Sequence, residues 1–256
     1  MTTAGFRLAV GLLTIVPVRP PADIGRREAR TAMLLAPLAV LPVALVVGLV
    51  GWGAVALGLP GLAAGLLGVA VLAFGTRAMH LDGLADTTDG LGSGKDAERA
   101  LVIMRTGDIG PMGTAALIIA VGLQAVAAGA ILERPFGWVQ LVVLICVSRG
   151  ALVFGCLTRV PSARPNGLGA LVAGSVSVPA AVLTWLVWIA AALGAGYLVG
   201  QPLWVPLVGV AAAGVVCAWL LTRCIRRLGG ITGDVLGALV ELSATALLVV
   251  ASIQVR

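Results

Sequence analysis

Long apolar runs set the first limit on this chain. Stretches of about twenty mostly hydrocarbon residues recur near 32–56, 61–79, 113–132, 137–157, 171–198, 203–222 and 235–253. About twenty such residues make a helix that crosses a bilayer's hydrocarbon core. The expected fold is therefore all-α, a polytopic integral membrane helical bundle of about seven transmembrane helices, with one membrane-embedded domain over residues 1–256. Charged residues make up 11% of the chain, against about one quarter in soluble domains. Mean hydropathy is +1.10. The fifth run is long enough to be tilted, kinked at Pro179 or preceded by an interfacial turn. The first apolar stretch, 8–18, is too short to span. Arg7 precedes it as in a signal peptide, but no small-residue cleavage site follows. A short helix in the interface, or re-entering the bundle, is expected there.

The basic residues orient the spans. Arg19, Arg26, Arg27 and Arg30 precede the first; Arg77, Lys95, Arg99 and Arg105 flank an acidic segment; Arg159 and Arg164 follow the fourth, and Arg223, Arg226 and Arg227 the sixth. The opposite loops, Gly58-Leu-Pro-Gly61, Glu133-Arg134-Pro135 and Gly200-Gln-Pro202, hold one Arg. The positive-inside rule puts the N-terminus and the three charged loops in the cytoplasm and Arg256 outside, as for a multi-pass protein of a bacterial cell membrane. The pI near 10.1 is then an orientation signal. Nucleic-acid binding would need a basic, aromatic-bearing soluble face, which this chain lacks. Cys146, Cys156, Cys217 and Cys224 fall within or at the ends of spans and have no C-x-x-C spacing; beside a single His they read as inert buried thiols, not a zinc site.

Only 11 residues are Asp or Glu, and five of them fall between Asp82 and Glu98. In His80-Leu-Asp-Gly-Leu-Ala-Asp-Thr-Thr-Asp-Gly-Leu91 the spacings of four and three return Asp82, Asp86 and Asp89 to within about 40° of one helix face. Such a stripe repels itself unless a cation or solvent intervenes. A hard divalent ion held by oxygens is the economical explanation, and such ions also hold substrate phosphates. Gly83 and Gly90 weaken the case for an unbroken helix. His80 adjoins the carboxylates and is placed either to move a proton near neutral pH or to steady a neighbour by a hydrogen bond.

Downstream, in Arg99-Ala-Leu-Val-Ile-Met-Arg105-Thr-Gly-Asp108-Ile-Gly-Pro-Met-Gly113, Arg99 and Arg105 are candidate phosphate clamps, and the next helix would start there with its N-terminal dipole facing the site. A second basic loop, Arg159-Val-Pro-Ser-Ala-Arg164-Pro-Asn-Gly167-Leu-Gly169, is a weaker anion-binding candidate. A third, Arg226-Arg-Leu-Gly-Gly-Ile-Thr232-Gly-Asp234, leads into a span containing Glu241. Asp234 either caps that helix or meets substrate. Glu241 and Arg149 are the charges well inside spans, and pairing would satisfy both.

The acidic block, with Arg99-x5-Arg105 and Ile109-Gly-x-x-Gly113 after it, resembles the cobalamin synthase family of adenosylcobinamide-GDP ribazoletransferases. Ala163-Arg-Pro-Asn-Gly-Leu-Gly169, Gly229-Gly-Ile-Thr-Gly-Asp234 and the opening Leu12-Leu-Thr-Ile-Val-Pro17-Val are similar to its other segments, in order along the chain. The resemblance implies transfer of an adenosylcobinamide phosphate group from adenosylcobinamide-GDP to α-ribazole or its 5′-phosphate, with GMP released and Mg²⁺ required. Asp82, Asp86 and Asp89 would hold Mg²⁺. One of these aspartates or His80 would help take the attacking hydroxyl's proton. Arg99, Arg105, Arg159 and Arg164 would bind phosphates, with Asp234 as a further contact. Where family members often carry Asp-Ser-Arg, this chain has Thr106-Gly107-Asp108, so its acid sits two positions later. Asp108 is expected either to join the metal or to cap a helix beginning near Ile109. The partners implied are the two substrates and the lipid bilayer, with a homo-oligomer left open. The alternatives are a CDP-alcohol phosphotransferase, a prenyltransferase, or an ion-coupled transporter using Asp234, Glu241 and Arg149.

Overall fold

A computed structural model describes residues 3–254; Arg256 lies outside them. α1 (Thr3–Leu13) buries Ala9, Val10 and Leu13 and packs along α2 (Arg26–Ala39), which continues through a bend at Val40 into α3 (Leu41–Ala56). α4 (Gly61–Gly75) and α5 (Met79–Gly92) follow, then α6 (Ala97–Ile103) and α7 (Pro111–Leu132). α8 (Gly137–Arg149) runs on into α9 (Ala151–Gly155), and α10 (Leu168–Val172) is a single turn before α11 (Val178–Leu198). α12 (Trp204–Leu228) and α13 (Gly233–Ala251) complete the bundle. Six helices or helix pairs are long and apolar enough to cross a membrane, and seven if α4 and α5 count as one bent span. The chain is thus a multi-pass helical membrane protein.

Two expected boundaries move, and one possible kink is absent. The first span begins at Arg26, because the basic turn at 26–30 is already helical. Pro179 kinks nothing. It sits in the first turn of α11, where its missing N–H costs no hydrogen bond. The second span stops at Gly75, and α5 leaves α4 at 91°. Arg77 and Ala78 make that corner with φ of 55° and 52°, left-handed values that cost a side-chain-bearing residue about 1–2 kcal/mol each. The Arg77 guanidinium offsets part of this by donating to Gly11 O at 2.9 Å and Leu12 O at 3.0 Å, the free carbonyls at the end of α1. α5 therefore lies across the N-terminal ends of α7 and α13, at the end of the bundle that carries the basic loops.

α5 is one helix from Met79 to Gly92, Gly83 and Gly90 included. These glycines serve packing. A Cβ on Gly83 would stand 2.6 Å from Asp234 O, and one on Gly237 would stand 3.1 Å from His80 Cα, so α5 and α13 cross with backbones touching. A Cβ on Gly90 would meet Met104 at 2.6 Å, which brings α6 under the same helix.

Candidate functional site

The α5–α13 crossing carries Asp234, at the start of α13, to the aspartates of α5. Asp82 is exposed, Asp86 half-buried and Asp89 buried, so the stripe turns progressively from solvent into the bundle. Burial is the largest influence on Asp86, followed by the negative charges of Asp82, Asp234 and Asp89. Together they push its carboxyl up to about 6, against a smaller pull from Arg164.

Arg164 reaches this cluster because two distant loops pair by backbone. Ala163 N donates to Ile231 O at 2.9 Å and Ile231 N to Pro161 O at 3.0 Å, across a short parallel bridge of Ser162 and Ile231. A Cβ on Gly230 would stand 2.3 Å from Pro161 O, so this approach requires glycine. Arg164 then lies 3.7 Å from Asp234 Oδ2 and donates to Leu101 O at 2.8 Å. Burial draws its guanidinium below the usual arginine range; Asp234 opposes that shift and Arg105 adds to it. Arg105 is thereby a second cation at the same cluster, itself exposed and without a side-chain partner among the described residues.

Asp89 has a different occupation. Its two carboxylate oxygens accept from Gly110 N at 2.7 Å and Gly113 N at 2.9 Å, the free donors at the start of α7. It caps a helix from 21 residues away in sequence. This corrects one of the two readings of Asp108. Helix α7 begins at Pro111 with Gly110 before it, so Asp108 does not cap it. Asp108 is exposed, with no hydrogen bond among the described residues, on the rim of a hollow shared with Asp89 and Thr106. A similar displacement occurs at α13, where Thr232 and not Asp234 takes the cap position. Val235 N donates to Thr232 Oγ1 at 3.3 Å, and the Thr232 hydroxyl donates to Asp234 Oδ2 at 3.1 Å. Sequence reasoning passed over Thr232, although a Thr followed by Gly-Asp at a helix start is itself a capping signature.

The remaining expected residues are not drawn into the cluster. Arg99 is an exposed (i, i+3) neighbour of Asp96 at 3.9 Å, and Arg159 is exposed without a partner among the described residues. His80 points into the core among Leu12, Met33, Leu152 and Leu236. It is 2% exposed, and neither ring nitrogen has a partner among the described residues. Among the described residues, Arg149 and Glu241 do not form the ion pair that would have satisfied both. Arg149 donates to Ser148 Oγ at 2.8 Å, while Glu241 accepts from Gln124 Nε2 at 2.8 Å. The four cysteines are buried and free.

Among the described residues no three His, Cys, Asp or Glu side chains stand arranged to hold a metal ion by themselves. Two neighbouring carboxylates with open coordination suit Mg²⁺ differently, since that ion usually takes one or two carboxylates and fills its octahedron with water and substrate phosphate. The all-oxygen donor set and the mutual repulsion at Asp86 both fit such an ion.

A family model described as cobalamin-5-phosphate synthase matches residues 5–252. An adenosylcobinamide-GDP ribazoletransferase of a Nocardioides species is 46% identical over 243 residues, 95% of this chain and 96% of that protein. Proteins of the same description from Frankia casuarinae and Bradyrhizobium diazoefficiens are 39% and 38% identical, covering 95% and 97% of this chain and 92% and 93% of their own. No solved structure matches.

Proposed function

Because the chain belongs to the cobalamin-5-phosphate synthase family, we propose that it transfers the adenosylcobinamide phosphate group of adenosylcobinamide-GDP to α-ribazole or α-ribazole 5′-phosphate. The products are adenosylcobalamin, or its 5′-phosphate, and GMP. The observation that carries this reading is the single cluster of Asp82, Asp86, Asp234, Arg164 and Arg105, built where α5 crosses the start of α13.

A hydroxyl of the ribazole attacks the phosphorus bonded to cobinamide, and the bond from that phosphorus to the GMP oxygen breaks. Asp82 and Asp86 would hold Mg²⁺, which when bound would neutralise charge on the leaving GMP. Arg164 and Arg105 bind the pyrophosphate as planar guanidinium forks. The contact to Asp234 and the bond to Leu101 O hold Arg164 in one orientation before substrate arrives. Asp234, oriented by the Thr232 hydroxyl, receives the proton of the attacking hydroxyl. His80 is buried away from this chemistry, so the carboxylates do that work. Asp89 holds the α7 end against α5. The charged loops face the cytoplasm, which the distribution of basic residues supports and a GTP-derived substrate requires.

The test is GMP release by the purified protein in lipid vesicles, given both substrates and Mg²⁺, with the cobalamin product identified by mass. GMP formed in proportion to cobalamin is the expected result. Absence of both, with folded protein in the membrane, would sink the assignment.

A further inference from the structure

We infer that the cleft between α7 and α12 is a binding site for an anionic phospholipid, whose acyl chain fills the cleft and whose phosphate lies between Arg223 and Arg227. The cavity holds about 480 Å³ and is walled by Ala116, Ile119 and Leu123 of α7 and by Trp219 and Leu220 of α12, with α13 and α5 behind. Its two walls scarcely touch each other, and Ile119, Leu123 and Trp219 are 61%, 44% and 56% exposed. In a spanning bundle such a slot opens sideways into lipid and not into water.

Length and charge choose the occupant. From Met112 to Leu123 the α7 wall runs about 16 Å, at about 1.5 Å per residue, which is about half of a hydrocarbon core about 30 Å thick. One leaflet's acyl chain therefore matches the cleft. Arg223 and Arg227 stand on successive turns of α12, both line the cleft, and both are exposed. Arg223 has no partner among the described residues, and Arg227 spends one donor on Lys95 O at 3.1 Å. Two guanidinium forks a turn apart make a phosphate clamp. No Asp or Glu lines the cleft, so nothing there would hold the amine of a zwitterionic headgroup. Trp219, one turn from Arg223 on α12, also lines the cleft, and indoles favour the membrane boundary beside basic residues. The aspartates of the transfer site do not line this cavity, and the inference holds whatever the enzyme's substrate.

The test is native mass spectrometry of the detergent-purified protein with equal amounts of phosphatidylglycerol and phosphatidylcholine. Wild type should retain phosphatidylglycerol at least about tenfold more than phosphatidylcholine, because basic residues favour net-anionic lipid. Arg223→Gln with Arg227→Gln should bring the two lipids to parity, and Arg226→Gln, on the same helix but off the cleft, should not. Ala116→Trp should lower retention of both lipids by filling the slot. Glycerophosphoglycerol, which has the headgroup without the chains, should fail to compete at equal concentration. An unchanged preference in the double variant, or an equal loss with Arg226→Gln, would overturn the clamp. Displacement of the lipid by α-ribazole would give the cleft to substrate and overturn the proposal outright.

Discussion

The two ends of the bundle use polar residues in opposite ways. At the end away from the basic loops, Arg134 donates to Ala251 O at 2.8 Å and Ser252 O at 2.7 Å, closing the carbonyl end of α13. Gln201 donates to Ala251 O at 2.7 Å and accepts from Gln140 at 2.6 Å. These groups are consumed by structure, and Arg134 is basic there because a helix C-terminus needs donors. At the α5 end, Asp89 and Thr232 are consumed in the same manner by the starts of α7 and α13. Asp82, Asp86 and Arg105 have no side-chain partner among the described residues, and Asp234 is only partly engaged. Charges gathered in one cluster and left unspent are the groups free to meet a ligand.

Breaking the comparison should be most visible at the unspent carboxylates. Asp86→Asn or Asp82→Asn should lower the rate of GMP release at least about a thousandfold, about 4 kcal/mol, with the unfolding temperature unchanged. Most of the activity surviving Asp86→Asn at limiting Mg²⁺ would end the shared-ion reading. The spent groups should behave the other way. Asp89→Ala should cost about 2 kcal/mol of stability through the lost cap, and Asp89→Asn, which keeps an acceptor, much less. Arg134→Gln should likewise destabilise by about 2 kcal/mol while activity per folded molecule stays normal; denaturant titration beside turnover separates these. A drop in turnover for Arg134→Gln at unchanged stability would contradict the division of labour.

Acidity sharpens the contrast further. Asp86 holds its proton up to about pH 6 in the absence of metal, and only the ionised form is a good Mg²⁺ ligand. The Mg²⁺ concentration for half-maximal rate should therefore rise as pH falls through 6, by up to about tenfold per unit, and stay nearly flat well above it. The same slope in a residually active Asp86→Asn variant would assign the proton elsewhere. The smallest effect is expected at Asp108, exposed and capping nothing. Asp108→Ala should shift stability by no more than about 0.5 kcal/mol and leave the Mg²⁺ requirement near that of the parent.

How much of this was legible beforehand can be judged from particular residues. The spans, their helical character and the gathering of basic residues on one side follow from composition along the chain, because a bilayer makes apolar length a direct constraint. The acidic stripe was legible because Asp82, Asp86 and Asp89 repeat at the helix period. Its division of labour was not. Periodicity says which residues share a face, but Asp89 was claimed by amides 21 and 24 positions on, an engagement no local pattern contains. The same blindness leaves a cap open at Asp108 and at Asp234, where Gly110 and Thr232 take the positions before the helices.

The sequence by itself determined a multi-pass helical protein with one chemically loaded end. Hydropathy and charge distribution act on each segment separately, so they can be read without knowing any neighbour. Only the tertiary structure decided which charges meet: the 91° corner at Arg77–Ala78 laid α5 across the bundle, Gly83 and Gly237 let α13 bring Asp234 against it, and the Ala163–Ile231 pairing delivered Arg164. Those outcomes depend on close approach between segments up to 157 residues apart. Backbone contact at such distances is a property of the packed bundle and of no single stretch of chain.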